Sequence, residues 1–256
     1  MYKFENCANS VESCVEAQRA GADRVELCAG IPEGGTTPSY GDIVIARRML
    51  TYTKLHVIIR PRGGDFLYSD LEKEIMLEDV RMVRRLGVDG VVFGALTAFG
   101  DVDMEFMRQL MEEAEGMSVT FHRAFDVCRD PFEALEQIVE LGCDRILTSG
   151  QMPKAEEGVE LLKQLVDRAG DRIIIMPGCG VNANNIVKIA RGTGAREFHF
   201  SGRSKRDSGM KFRKSRVSMG GAVIIDEYSR DVTDMNIVRE TIEKLRIENK
   251  IPNNLS

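Results

Sequence analysis

Eight short runs along the chain collect β-branched residues or alternate apolar with polar ones, and each ends at turn formers. They are FENCA from Phe4, RVELC from Arg24, LHVIIRP from Leu55, GVVFGAL from Gly90, SVTFHRA from Ser118, RILTSG from Arg145, RIIIMPG from Arg172 and EFHFSG from Glu197. This pattern predicts eight β-strands. A stretch of helical spacing follows each one, with apolar stripes such as Phe132, Leu135, Ile138 and Val139, or Met235, Val238, Ile242 and Leu245. Start signals agree: Ser39 with Asp42 and Ser69 with Glu72 fit the capping-box spacing, and Asp130 precedes Pro131 at a first helical position. Stop signals repeat as well, because Gly21, Gly87, Gly142 and Gly194 each stand where a helix should end in the left-handed conformation. Eight strand-helix units in 256 residues predict an α/β fold, one (β/α)8 TIM-type barrel domain over residues 1–256. A doubly wound open sheet would carry a GxGxxG turn after an early strand, and none stands there.

In such a barrel the chemistry belongs at the C-terminal ends of the strands. Side chains two apart share a strand face. Glu5 and Cys7 therefore point together, as do Glu26 and Cys28, Ile58 with Arg60 and Arg62, Thr120 with His122, and Glu197 with His199 and Ser201. Asp126 follows the fifth strand, and Ser149 closes the sixth. Charges converging inside a barrel form either a paired network, with Glu26 and Arg60 as an internal ion pair, or a ligand site. The glycines Gly178 and Gly180 after strand seven, and Gly202 after strand eight, occupy the loops that often form an anion cup in this fold. RGGDFLYSD from Arg62 is a candidate lid with Gly63 and Gly64 as pivots. Met104, Met107 and Met111 read as a core stripe rather than a metal box.

Composition narrows the partners. Forty acidic against 35 basic side chains give a net charge of −5, which offers no nucleic-acid or membrane footprint. The basic residues of segment 203–216 (Arg203, Lys205, Arg206, Lys211, Arg213, Lys214 and Arg216) make a local positive loop instead. Six scattered cysteines show no zinc spacing, and no leader or spanning segment is read, so a reducing, cytoplasmic setting is expected.

At these residues the chain resembles the CutC family of copper homeostasis proteins. The matching strings are GADRVELC from Gly21, EGGTTPSYG from Glu33, IRPRGGDFLYSD from Ile59, VTFHRAFD from Val119, RILTSG from Arg145 and EFHFSGRSKRDSGMKF from Glu197. The resemblance implies a TIM-type barrel, a cytosolic homo-oligomer, and copper, Cu(I), bound by the thiols of Cys7 and Cys28. FENCANS around Cys7 departs further from the family pattern than the ELC string does. A second reading comes from the residues themselves: an enzyme acting on a small anionic or phosphorylated metabolite. There Arg60, Arg62, Ser149, Gly178, Gly180, Ser201 and Gly202 hold the ligand, Glu26 or His122 moves protons, Asp126 orients His122 or Arg60, and His199 is a second acid.

Overall fold

The eight alternating runs become eight parallel strands in a computed structural model that describes residues 1–214, 216, 217, 219 and 226–248. They are β1 Lys3–Ala8, β2 Arg24–Leu27, β3 Lys54–Ile58, β4 Gly90–Phe93, β5 Ser118–Phe121, β6 Arg145–Thr148, β7 Ile174–Pro177 and β8 Glu197–Phe200. Hydrogen bonding links them in the order β7-β6-β5-β4-β3-β2-β1-β8, and β7 lies beside β8, so the barrel is nearly closed. The helices α1 Val11–Ala20, α2 Tyr40–Met49, α3 Asp70–Arg85, α4 Met104–Glu113, α5 Pro131–Leu141, α6 Val159–Ala169, α7 Ile186–Thr193 and α8 Met235–Glu248 follow in turn. Short 3-10 turns occupy Ile31–Glu33 and Arg123–Val127.

Local chemistry sets the helix boundaries. Ser69 and Glu72 form a full capping box on α3, and the Asp130 carboxylate accepts from Phe132 N and Glu133 N at α5. Gly21, Gly87, Gly142 and Gly194 all have positive φ, between 69° and 89°. The outward faces of the strands pack on the helices: Phe4, Val25, Leu27, Leu55, Val57, Val91, Phe121 and Phe198 are fully buried. Each contributes on the order of 1.5–3 kcal/mol of burial free energy.

One pair of strands was not expected. After β8 the chain forms an antiparallel hairpin of β9 Arg203–Asp207 and β10 Ser229–Thr233 before entering α8. The RSKRD run is largely exposed and has no apolar alternation, so periodicity reads it as a basic loop.

Candidate functional site

Register explains what meets inside the barrel. Glu5 lies opposite Arg24 of β2 and His199 of β8, and Cys7 lies opposite Glu26. Partners in a parallel ladder share a face, so all five side chains point inward. Glu5 ion-pairs with Arg24, and its other oxygen is 2.7 Å from His199 Nδ1. Arg24 also reaches Glu197 at 2.8 Å, and Glu197 holds Arg145 at 3.3 Å. From this buried layer His199 reaches a cavity of about 580 Å³ at the C-terminal ends of the strands.

On the β1-β2-β8 side, Cys7 Sγ and Cys28 Sγ stand 4.0 Å apart. One ligand atom each from Cys7, Glu26 and His199 lies within 4.8 Å of the others, and His199 Nε2 is 3.6 Å from Glu26. Arg203 donates to the Cys7 carbonyl and sulfur, each at 3.2 Å. The hydrogen bond from Cys28 holds the Cys7 thiol well below its ordinary pKa against the opposing effect of burial, and His199 and Arg203 add to it. Cys28 goes the other way, raised by that same bond, by burial and by Glu26. Of the two, Cys7 is therefore the more readily deprotonated. Burial disfavours the His199 cation, but Cys7 and Glu5 override it and raise its pKa well above the ordinary value. Burial pushes Glu26 up to about 8.

On the β3-β5 side, Arg60 spends its terminal nitrogens on the carbonyls of Glu33, Gly35 and Gly64, at 3.1, 3.0 and 2.6 Å. It lies over the Phe66 ring, and among the described residues it has no ion pair with Glu26 or any other carboxylate. His122 caps the 3-10 turn, its Nδ1 accepting from Ala124 N at 3.3 Å. Gly94 makes room for this ring, since a Cβ there would come 2.8 Å from His122 Nδ1. Burial, then Arg60, lowers the pKa of His122 to about 3, so the ring is neutral.

Of the residues expected at the site, Cys7, Glu26, Cys28, Arg60, His122, Gly180, His199, Ser201 and Gly202 line the cavity. Arg62, Asp126, Ser149 and Gly178 do not. The strand β3 ends at Ile58, and the period-two count carried too far: Arg62 turns outward to Glu72 at 2.6 Å and Asp65 at 3.1 Å. Those bonds, with Leu96 N donating to Phe66 O at 2.9 Å, tie down the loop read as a lid. A Cβ on Gly178 would strike Leu147 and crowd His199, which makes it a packing residue.

Asp126 orients neither His122 nor Arg60. Its carboxylate accepts from Thr148 Oγ1, from Ser149 N and Oγ, from Gln151 N and from Arg123. That makes it a clamp on the loop after β6. Asp126→Ala is expected to cost about 2–3 kcal/mol, because it strands buried donors. Urea unfolding checks this, and a loss within ~0.5 kcal/mol would mean that the clamp is idle. Arg24 and Arg145 were missed, and Arg203 was read only as part of the basic loop after strand eight. The first two stand two residues before Glu26 and Leu147, so stepping the alternation backwards finds them.

A family model described as the CutC family matches residues 2–204. A family protein CutC of Bacteroides fragilis is 64% identical over 244 residues, covering 95% of this chain and 97% of its own. The human copper homeostasis protein cutC homolog is 51% identical over 238 residues, covering 93% of this chain and 87% of its own. The solved CutC structure from Streptococcus agalactiae superposes with a TM-score of 0.76 at 39% identity, covering 78% of this chain and 99% of that one. A match that runs from the first strand to the rim arginines, with relatives alike over nearly the full length, makes this barrel a member of the CutC family.

Proposed function

We propose that this chain is a copper homeostasis protein that binds Cu(I) at the barrel mouth through the thiolates of Cys7 and Cys28. The observation that carries the reading is the pair of sulfurs 4.0 Å apart on the cavity wall, with the Cys7 thiol held below its ordinary pKa by the hydrogen bond from Cys28. Cu(I) prefers soft thiolate donors. With metal–thiolate bonds of ~2.3 Å, that separation subtends about 120° at the ion, which leaves a third position open. Beyond the two sulfurs, His199 and Glu26 each offer a donor atom within 4.8 Å of Cys7, and Glu5 on Nδ1 orients the imidazole as an outer partner. Loading would expel the Cys28 proton and the one on His199, so affinity rises with pH. All six cysteines are free, which suits a reducing cytosol. On this reading residues 1–256 work as one domain within a homo-oligomer, and copper is the cargo. Neither nucleic acid nor membrane is a partner, and among the described residues no helix is long and apolar enough to cross a membrane.

Anaerobic Cu(I) titration of the reduced protein against a competing chelator tests this. One tightly held equivalent is expected, unchanged in Cys14→Ser, whose thiol is buried on the inner face of α1 with its pKa raised to about 12. Binding no tighter than the chelator background overturns the copper reading. Displacement of copper by equimolar Zn(II) overturns the choice of metal.

A further inference from the structure

Three residues that line the cavity carry buried donors that nothing in the protein satisfies. Among the described residues, five buried side-chain nitrogen or oxygen atoms lack a hydrogen-bond partner, and three of these, Arg60 Nε, His122 Nε2 and Arg203 Nε, belong to residues lining the cavity. All three carry a hydrogen. Arginine always does, and the neutral His122 ring, accepting at Nδ1 from Ala124, keeps its proton on Nε2. Phe66 lies beside two of them, its centroid 4.9 Å from that of His122 and 4.8 Å from Arg60 Cζ. A ring face is a weaker acceptor than an oxygen. Buried donors are satisfied almost everywhere in native proteins, so three orphans around one cavity call for an acceptor from outside.

Charge points the same way. Three guanidinium groups, Arg60, Arg123 and Arg203, line the cavity. Arg123 is answered by Asp126, but neither Arg60 nor Arg203 has a carboxylate partner among the described residues. Buried cations are normally paired, and Arg60 is only 5% exposed. Around these groups the wall is apolar, with Ile58, Phe66 and Leu147. The volume, about 580 Å³, lies in the range of small-molecule sites and far exceeds the room one metal ion needs.

The geometry points to a second occupant of this cavity, a small organic anion. Its oxygens pair with the Nε–H groups of Arg60 and Arg203 and the Nε2–H of His122 as these buried side chains turn toward it, and its carbon frame rests on Ile58, Phe66 and Leu147. His122 follows β5 and Arg203 follows β8, three strands around the barrel, so the ligand carries acceptor oxygens at both ends. This goes beyond copper binding and does not depend on it. It also replaces the broader anion site expected from the sequence: Arg62, Ser149 and Gly178 drop out, and Arg203 enters.

Calorimetric titration of the metal-free, reduced protein tests it, with succinate, glycerol 3-phosphate, inorganic phosphate and the uncharged 1,4-butanediol as probes. At least one of the two organic anions is expected to bind while the diol does not, and which one binds tells carboxylate from phosphate recognition. Arg203→Gln and His122→Phe should each weaken that binding about tenfold or more, the loss expected for a hydrogen bond to a charged group. Because the two variants lie on opposite walls, one suffices if the other fails to fold by circular dichroism. No organic anion binding at millimolar concentration overturns the proposal. So does affinity unchanged in a folded variant, or inorganic phosphate binding as tightly as the organic anions. No metal is present, so the result stands apart from the copper titration.

Discussion

Replacing Glu5 with leucine is expected to cost about 3–5 kcal/mol of folding stability, among the largest losses any single substitution in this barrel would produce. Glu5 is 1% exposed and holds two cations at once, Arg24 and His199. Removing it leaves Arg24 to Glu197 alone, while Glu197 already shares itself with Arg145. The penalty comes from stranded charge, so Arg24→Met in the same background should recover part of the loss, which a simple packing defect would not do. Urea unfolding of the three proteins measures both effects, and a loss under ~1 kcal/mol would show that water relaxes the network. The pH dependence has a definite sign. Burial would raise the Glu5 carboxyl, but Arg24 and then His199 hold it well below the usual range. The unfolded chain therefore binds more protons, and this contribution is complete above the unfolded pKa of ~4.3 and lost as pH falls through the native value. The acid limb of the stability profile should lose slope in the variant.

The same network shows how far the sequence can be read. The eight strands, the glycine stops and the Ser69–Glu72 capping box are local features, encoded within a few residues, and they appear where the alternation and the caps place them, while Ser39 caps α2 without the reciprocal bond from Asp42. The β9–β10 hairpin lacks that encoding. Its strands are polar on both faces, and what brings Arg203–Asp207 to Ser229–Thr233 is backbone pairing across a long connection.

For the site, alternation identifies which side chains point inward but not what each one meets. Glu26, His122 and His199 reach the cavity because the period-two count stays inside a strand or one step past its end. Arg62 fails because the strand has already ended. Arg60 and Asp126 are placed near the mouth, yet their partners are backbone groups of loops, Glu33, Gly35 and Gly64 for one, Ser149 and Gln151 for the other. Apart from Gly64, four residues after Arg60, those loops come from other parts of the chain, so no spacing rule near either residue announces the bonds. The importance of Glu5 follows from register between three strands, which only the closed sheet supplies.

Changing both Cys7 and Cys28 to serine is expected to lower Cu(I) affinity at least about a thousandfold, some 4 kcal/mol of binding free energy. A hydroxyl is a hard, protonated donor where Cu(I) favours a polarisable thiolate. What would remain is the imidazole of His199 and the Glu26 carboxyl, neither a match for two sulfurs. The single changes should differ from each other. Cys7 is the thiol whose pKa is lowered, with Cys28, His199 and Arg203 all turned toward its sulfur, so Cys7→Ser removes the more readily formed thiolate and breaks the Cys7–Cys28 hydrogen bond. Cys28→Ser keeps that thiolate and its contact with Arg203, so its loss should be nearer 10- to 100-fold, the cost typical of a weakened ligand shell. Serine is close in size to cysteine and both positions border the cavity, so stability should change by less than about 1 kcal/mol. Competition titrations of all four proteins at one pH give the series directly. Equal losses from the two single changes would mean that both sulfurs bind as equivalent thiolates. Copper retained by the double variant would place the ion on other donors altogether.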